Sequence, residues 1–447
     1  MKATKIFMMA ALALTFAACS NDDNDLTTQQ PAEQAANGEI TITATVSSDD
    51  ATTRALSIDG DNIASTWETT DEFAILFNDG SSNVKRVATV SSINGSTVTI
   101  TFTIPSSLAS NTACTIVYPA SAANTANTGA DVATVLAAQD GTIGNCPEVR
   151  VGTATIDKDN HSLSSVTKLA AQNAIFKLTL KNIDATADVS ATSVKIYNQA
   201  NTLLTTVTPA SGYDKVMYVA LPTTATTLKF AVTDGTTNYF NMASGLSLGT
   251  NFYQSTIKLA TVGDVIMSTG KCAKAGTAGA RAMIAYLGNA SDCANGLAIA
   301  LEDVSSNPLS WNNEGDYNGG KTAAQWCSAW NTSKAVTGGT WRFPSAKDWQ
   351  YMFIGCGSGE SYSDPYMHMT KSYIGLKDKL SAAGGTPLKT EESHCHYWSS
   401  TECLSDALAW YLTFVDGSHA RFFFDMEKLD YDNVLLYYYY VRACLAF

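Results

Sequence analysis

The sequence predicts a mainly β protein whose last part mixes helices with strands, and three observations carry that expectation. Runs of period-two alternation recur through the first 262 residues, as strands with one buried face require. The chain is 45% hydrophobic and only 15% charged, with Thr, Ala, Ser and Val plentiful, a balance that suits an all-β surface protein. Seven of the eight tryptophans (Trp311, Trp326, Trp330, Trp341, Trp349, Trp398 and Trp410) then fall after residue 262, beside helix-start signals, so a domain boundary is placed there.

The N-terminal residues read as an address. Lys2 and Lys5 precede an apolar run over 6–18, and Ala17 and Ala18 stand before Cys19. This resembles a bacterial lipoprotein signal peptide (1–18) with Cys19 as the lipidated residue, although Phe16 stands where Leu is usual. The stretch 19–38, with Asp22, Asp23 and Asp25, resembles the acidic tether of surface-exposed lipoproteins. No later apolar run approaches the ~18 residues that a membrane helix needs, so the membrane is expected to be touched only through the anchor. With 41 acidic against 28 basic residues and a net charge of −13, no basic stripe is available to a phosphate backbone, and nucleic-acid binding is not expected.

A strand over 40–46 buries Ile40, Ile42, Ala44 and Val46 in alternation with Glu and Thr. Val98, Ile100, Phe102 and Ile104 alternate after Asn94-Gly95, which predicts a type I′ hairpin across 84–104. Phe176, Leu178 and Leu180, then Leu228, Phe230 and Val232, then Tyr253 to Leu259 predict a second antiparallel module. The boundaries expected are 39–163 and 164–262.

This order of lipoprotein signal, strand, Thr52-Thr53-Arg54-Ala55, then Trp67 and Asp71-Glu72-Phe73 before an apolar strand resembles the fimbrillin family of Bacteroidetes pilins over about residues 39–262. The resemblance implies two transthyretin-like β-sandwiches, export as a lipidated precursor, and cleavage between Arg54 and Ala55. Losing the first strand would then leave a groove that another pilin subunit fills by donor-strand insertion. Stripping residues 40–46 from a sheet exposes an apolar row and unpaired backbone groups, which template strand addition.

In 263–447, KTAAQWCSAW (321–330) reads as a helix with Trp326 and Trp330 on one face. Ser345 with Asp348 three residues on reads as a capping box before Trp349, Met352 and Phe353. Gly384-Gly385 ends a third helix, and strands follow from Tyr397. GLAIALED, WRFPSAKDWQYMF, YWSSTE, AWYLTF and VRACLAF together resemble the C-type-lectin fold in its formylglycine-generating-enzyme-like branch, an α+β domain in which Arg342 and Arg442 would be buried struts.

Catalysis by that branch requires two thiols on copper. The candidates Cys395 and Cys403 are spaced too widely and lack the motif, so a copper-dependent oxidase is an alternative the residues disfavour and no enzyme activity is expected. His394, Cys395, His396 and Cys403 lack paired zinc spacing. Asn312, Asn313, Glu314 and Asp316 lack the usual lectin tripeptides for calcium. No metal or other cofactor is therefore expected. Apart from Cys19, two cysteines (Cys114, Cys146) precede residue 262 and seven follow it, an odd number whose spacing fixes no disulfide.

The terminal stretch interleaves framework phrases with positions of no periodic logic, among them three phenylalanines and four consecutive tyrosines. It resembles the variable proteins of diversity-generating retroelements. That resemblance implies a ligand face, for which Tyr411, Thr413, Asp416, His419, Phe422, Phe424, Tyr431, Tyr437 and Tyr439 are the candidates, because aromatic rings supply large contact areas with few torsions to freeze. The expected role is an adhesin at the outer membrane or in a fimbrium, at its tip, with a protein or glycan ligand that the sequence does not identify. A shaft or anchor pilin is the structural alternative.

Overall fold

The computed structural model describes residues 38–48, 57–59, 62–64, 66–250, 252–289, 292–311, 321–359, 370–390, 396–402, 408–414, 418–427 and 439–447. The protein is mainly β, with an α+β C-terminal part. Cys19, the Arg54-Ala55 junction, Asn312 to Asp316, His394, Cys395 and Cys403 lie outside the described residues.

Glu39–Ser47 alternates as expected: Ile42, Ala44 and Val46 are buried, while Thr43 and Thr45 are exposed. It pairs along its whole length with Thr97–Pro105, from Glu39 opposite Pro105 to Ser47 opposite Thr97. The order continues through Asn83–Asn94, Glu72–Asn78, Thr112–Tyr118 and Arg150–Asp157 to Ser162–Ser164. Strand twist curls this sheet until its ends meet. Thr43 N–H donates to the His161 carbonyl at 3.1 Å, and Leu169 N–H to that of Ser47 at 2.7 Å. Both walls of the first module thus come from one sheet, around a core that holds Ile42, Val46, Phe73, Phe77 and Phe102. Trp67, Phe73 and Tyr118 pack with centroids 5.1 to 5.2 Å apart, and Asp71 accepts from Tyr118 Oη at 3.1 Å.

The hairpin forms one residue later than expected. Asn94 pairs with Thr97, so Gly95 and Ser96 occupy the turn. Gly95 has φ +59° while Ser96 is not left-handed. That is the II′ pattern, with Gly first, rather than I′.

In the second module, Ala138–Gln139, Leu203–Val207, Ser193–Tyr197, Thr227–Thr233 and Asn238–Ser244 form one sheet, and Val216–Pro222, Asn173–Asn182 and Phe252–Leu259 the other. Phe176 and Leu178 meet Val194, Ile196 and Phe230 in a shared core. The modules interleave, for Ala138–Gln139 joins the second while Ala170–Ala171 pairs with Arg150–Asp157 of the first.

Among the described residues, the C-terminal unit has a six-stranded sheet, a four-stranded sheet and three helices. Thr322 caps Ala323–Ser333 through a capping box with Gln325, and Ser345 caps Ala346–Gly355 through the expected box with Asp348. Ile374–Ala382 ends at Gly384, whose φ of +80° continues no helix. Cys444–Ala446 runs between Gly296–Ala300 and Thr340–Arg342. Cys444 and Leu445 are fully buried there.

The second module and the C-terminal unit share a core. Phe240 and Met242 cluster with Trp341, Leu445 and Phe447, and the Phe240 and Phe447 rings lie 4.6 Å apart. Gly270 and Gly338 admit Met242, since a Cβ on either would collide with it. Lys229, with no exposed surface, donates to Asn201 Oδ1 and to the Gly338 carbonyl, both at 2.6 Å. Burial pushes its ammonium down to about 8. A basic group with a lowered folded pKa contributes stability above its unfolded pKa and loses it as pH falls through the folded value, because the unfolded chain then binds the proton more tightly. Stability should therefore climb between about pH 8 and about pH 10.5, by up to ~1.4 kcal/mol per pH unit. Denaturant midpoints of the wild type and Lys229→Met would show it; a wild-type slope no steeper than the variant's refutes the assignment.

Candidate functional site

Two features position chemistry for recognition: the N-terminal strand in its groove, and the four-stranded sheet of the C-terminal unit. The strand's inward side is apolar and its outward side is threonine, so it is held by nine backbone-paired positions, by the closing hydrogen bonds to His161 and Leu169, and by inward side chains of which Ile42, Ala44 and Val46 are buried.

The four-stranded sheet runs Thr370–Ser372, His419–Glu427, Leu408–Phe414, His396–Glu402. Trp410 and Leu412 point to one side, into a core with Tyr397, Trp349 and Tyr373. Tyr411 points to the other. There it meets Tyr439 at 5.1 Å, and Tyr439 packs on Trp398 at 4.4 Å and on His396 at 4.7 Å. The Tyr439 backbone is held by reciprocal hydrogen bonds to Leu309, 2.7 and 3.0 Å.

Of the residues expected at a ligand face, Tyr411 and Tyr439 are brought together but buried, 8% and 4% exposed. Each leaves at most an edge to a partner, and their closeness to Trp398 makes them packing rings. Thr413 is half-buried opposite His396, which is half-buried too, so these two form the open end of the cluster. His419 is exposed, its Nδ1 2.8 Å from Ser418 Oγ, and stands on another strand away from the rings. Backbone pairing sets Phe422 opposite Leu412 and Phe424 opposite Trp410. Their side chains, and Asp416, Tyr431 and Tyr437, lie outside the described residues. The half-buried imidazole of His396 is a member that the sequence offered only as a zinc candidate; its cross-strand partner Thr413 becomes visible only with the register.

Beneath the sheet the arginines act as struts. Arg442, fully buried, donates from Nε to Asp303 Oδ1 at 2.6 Å and from Nη1 to the carbonyls of Thr386 and Ala300 at 3.1 and 3.3 Å. Asp303 Oδ2 also accepts from Tyr397 Oη at 3.3 Å. Arg342 Nη2 donates to Asp348 Oδ1 at 2.5 Å.

Cys114, Cys146, Cys272, Cys327, Cys356 and Cys444 are buried free thiols. Burial pushes Cys114 and Cys356 up to about 12 and the others up as well, so at neutral pH they stay protonated and weakly nucleophilic. Among the described residues no three His, Cys, Asp or Glu side chains gather as a metal site. No described helix is long and apolar enough to cross a membrane.

No family model matches the sequence, and no curated protein matches it. Among solved structures the chain is similar to a candidate cell adhesion protein from Bacteroides uniformis, at 14% identity and a TM-score of 0.29 over 50% of this chain and 94% of that one. It is similar at 12% identity and a TM-score of 0.30 to another from Bacteroides ovatus, over 49% and 94%. A fimbrial assembly protein from Parabacteroides distasonis is similar at 11% identity and a TM-score of 0.28, over 49% and 90%.

Proposed function

We propose that this chain is a non-enzymatic cell-surface adhesin, anchored through Cys19 or built into a fimbrium at its tip, that binds a protein or glycan through a C-type-lectin-like C-terminal face. The observation that carries the tip position is the placement of Cys444–Ala446 between two strands of the six-stranded sheet, with Cys444 and Leu445 buried. A shaft subunit has to release an alternating strand to its neighbour, and releasing this one would open the core around Leu445. At the other end, Glu39–Ser47 meets most of its sheet through one ladder, so its removal after cleavage at Arg54 leaves a groove for an incoming strand. The chain then accepts a strand from another subunit and does not donate the segment 434–447.

The open end of the ring cluster at His396 and Thr413 is the assigned ligand face. Immunogold labelling of purified fimbriae with an antibody to the C-terminal unit tests the assembly: gold should mark one end of each fibre. Labelling along the shaft, or residues 434–447 found in another subunit's groove, overturns the tip assignment.

A further inference from the structure

Away from the ring cluster, the C-terminal unit holds a cavity of 870 Å³, within the ~300 to 1,000 Å³ typical of small-ligand sites, that none of the roles above uses. Its walls include Tyr373, Lys377, Leu388, Lys389 and the carboxylates of Glu302 and Asp303. We infer that this cavity binds a carboxylate-bearing sugar, a polyhydroxylated monoanion of the uronic acid class.

The first reason is Tyr373. The residue has no exposed surface, it lines the cavity, and its hydroxyl has no hydrogen-bond partner among the described residues. A buried hydroxyl left unpaired is costly, so a ligand oxygen that meets it gains more than a surface contact would. The second is charge. Lys377 and Lys389 are exposed at the cavity and make no ion pair among the described residues, whereas Glu302 is already paired with Lys334, and Asp303 with Arg442. Two ammonium groups with no carboxylate partner among the described residues therefore stand at the cavity, Lys389 Nζ lying 5.8 Å from the Tyr440 ring centroid, and this favours an anion.

The third reason separates a sugar acid from a phosphate. Asp303 accepts two hydrogen bonds yet keeps lone pairs, and Glu302 adds another acceptor. Acceptors on a cavity wall want donors from the ligand. Sugar hydroxyls donate; a phosphate dianion brings chiefly acceptor oxygens and would be repelled by both carboxylates. Pro387 and Leu388 on the same wall supply an apolar flank for the C–H face of a pyranose.

Calorimetry on the full chain tests this with sodium glucuronate, glucose and inorganic phosphate as probes, independently of any adhesin role. Glucuronate should bind with a Kd on the order of 1 mM, and glucose and phosphate at least about tenfold more weakly. Tyr373→Phe keeps the ring and should weaken glucuronate about tenfold, while Lys377→Gln with Lys389→Gln should erase its advantage over glucose. Melting curves confirm that each variant is folded. Hyaluronan oligosaccharides, run in parallel, separate a uronic acid within a polymer from a free one, and binding of either upholds the assignment. No binding of glucuronate or of the oligosaccharides, phosphate binding more tightly than glucuronate, or folded variants that bind like wild type would overturn it.

Discussion

A chain that begins at Ala55 should lose the cooperative unfolding transition of its first module, and a synthetic peptide spanning Glu39–Ser47 should restore it. The strand buries Ile42, Ala44 and Val46 within the core. Burial of three such side chains contributes on the order of 4 to 6 kcal/mol. Its nine ladder positions, and the closing hydrogen bonds from Thr43 to His161 and from Leu169 to Ser47, go with it. A domain holds only about 5 to 15 kcal/mol in total, so this loss takes most of the margin. Calorimetric scans of the truncated chain, alone and with the peptide, give the answer. A first-module melting temperature within a few degrees of the full chain's would show that the strand is dispensable, and the acceptor-groove reading would fail with it. A peptide with Ile42→Asp and Val46→Asp should not rescue, because charges at inward positions cannot enter the groove.

How much of this was legible in the sequence depended on how local the signal was. Ser345 and Asp348 announced their helix because a capping box is written in four consecutive residues, and the structure forms it. The alternation of Ile42, Ala44 and Val46 likewise set an inward face. The turn at Gly95 missed by one position because Asn-Gly satisfies I′ chemistry, while the pairing of Asn94 with Thr97 was decided by the two strands together. Closure of the first sheet on itself had no local mark, since His161 and Leu169 meet the first strand only after the curl is complete.

The tyrosines were harder still. Period two separates inside from outside only when one face of a sheet is wet, and here Trp410 and Tyr411, consecutive residues on opposite faces, are both buried. Alternation then carries no information about exposure. What a side chain meets across the sheet decides it, as when Tyr439 reaches Trp398 and Tyr411. The shared core of Phe240 and Phe447 was invisible for the same reason: each reads as buried, and nothing local says against what.

Arg442→Met should destabilise the C-terminal unit by about 3 to 5 kcal/mol, although Met is close to Arg in length. The reason is what the guanidinium leaves behind. Asp303 would remain mostly buried beside the Ala300 and Thr386 carbonyls that Arg442 now satisfies. An unpaired buried carboxylate costs far more than the pair gains over a well-packed hydrophobic substitute. Removing the acid as well should therefore repair most of the damage: Arg442→Met with Asp303→Leu is expected to regain at least half of the lost stability, while Asp303→Leu alone leaves a buried cation and is nearly as harmful as Arg442→Met. Denaturant titrations of the three variants close the cycle. If Arg442→Met costs less than about 1 kcal/mol, or if the double variant is simply the sum of the singles, the pair is not the strut that ties the loop after Gly296–Ala300 to the closing segment. The sign of that coupling also bears on recognition. A face that varied in sequence would have to tolerate side chains of any size, which requires that the residues beneath hold the sheet in place without help from the face itself. Arg442 is joined to the Ala300 and Thr386 carbonyls, to Thr386 Oγ1 and to Asp303, none of which belongs to the terminal stretch.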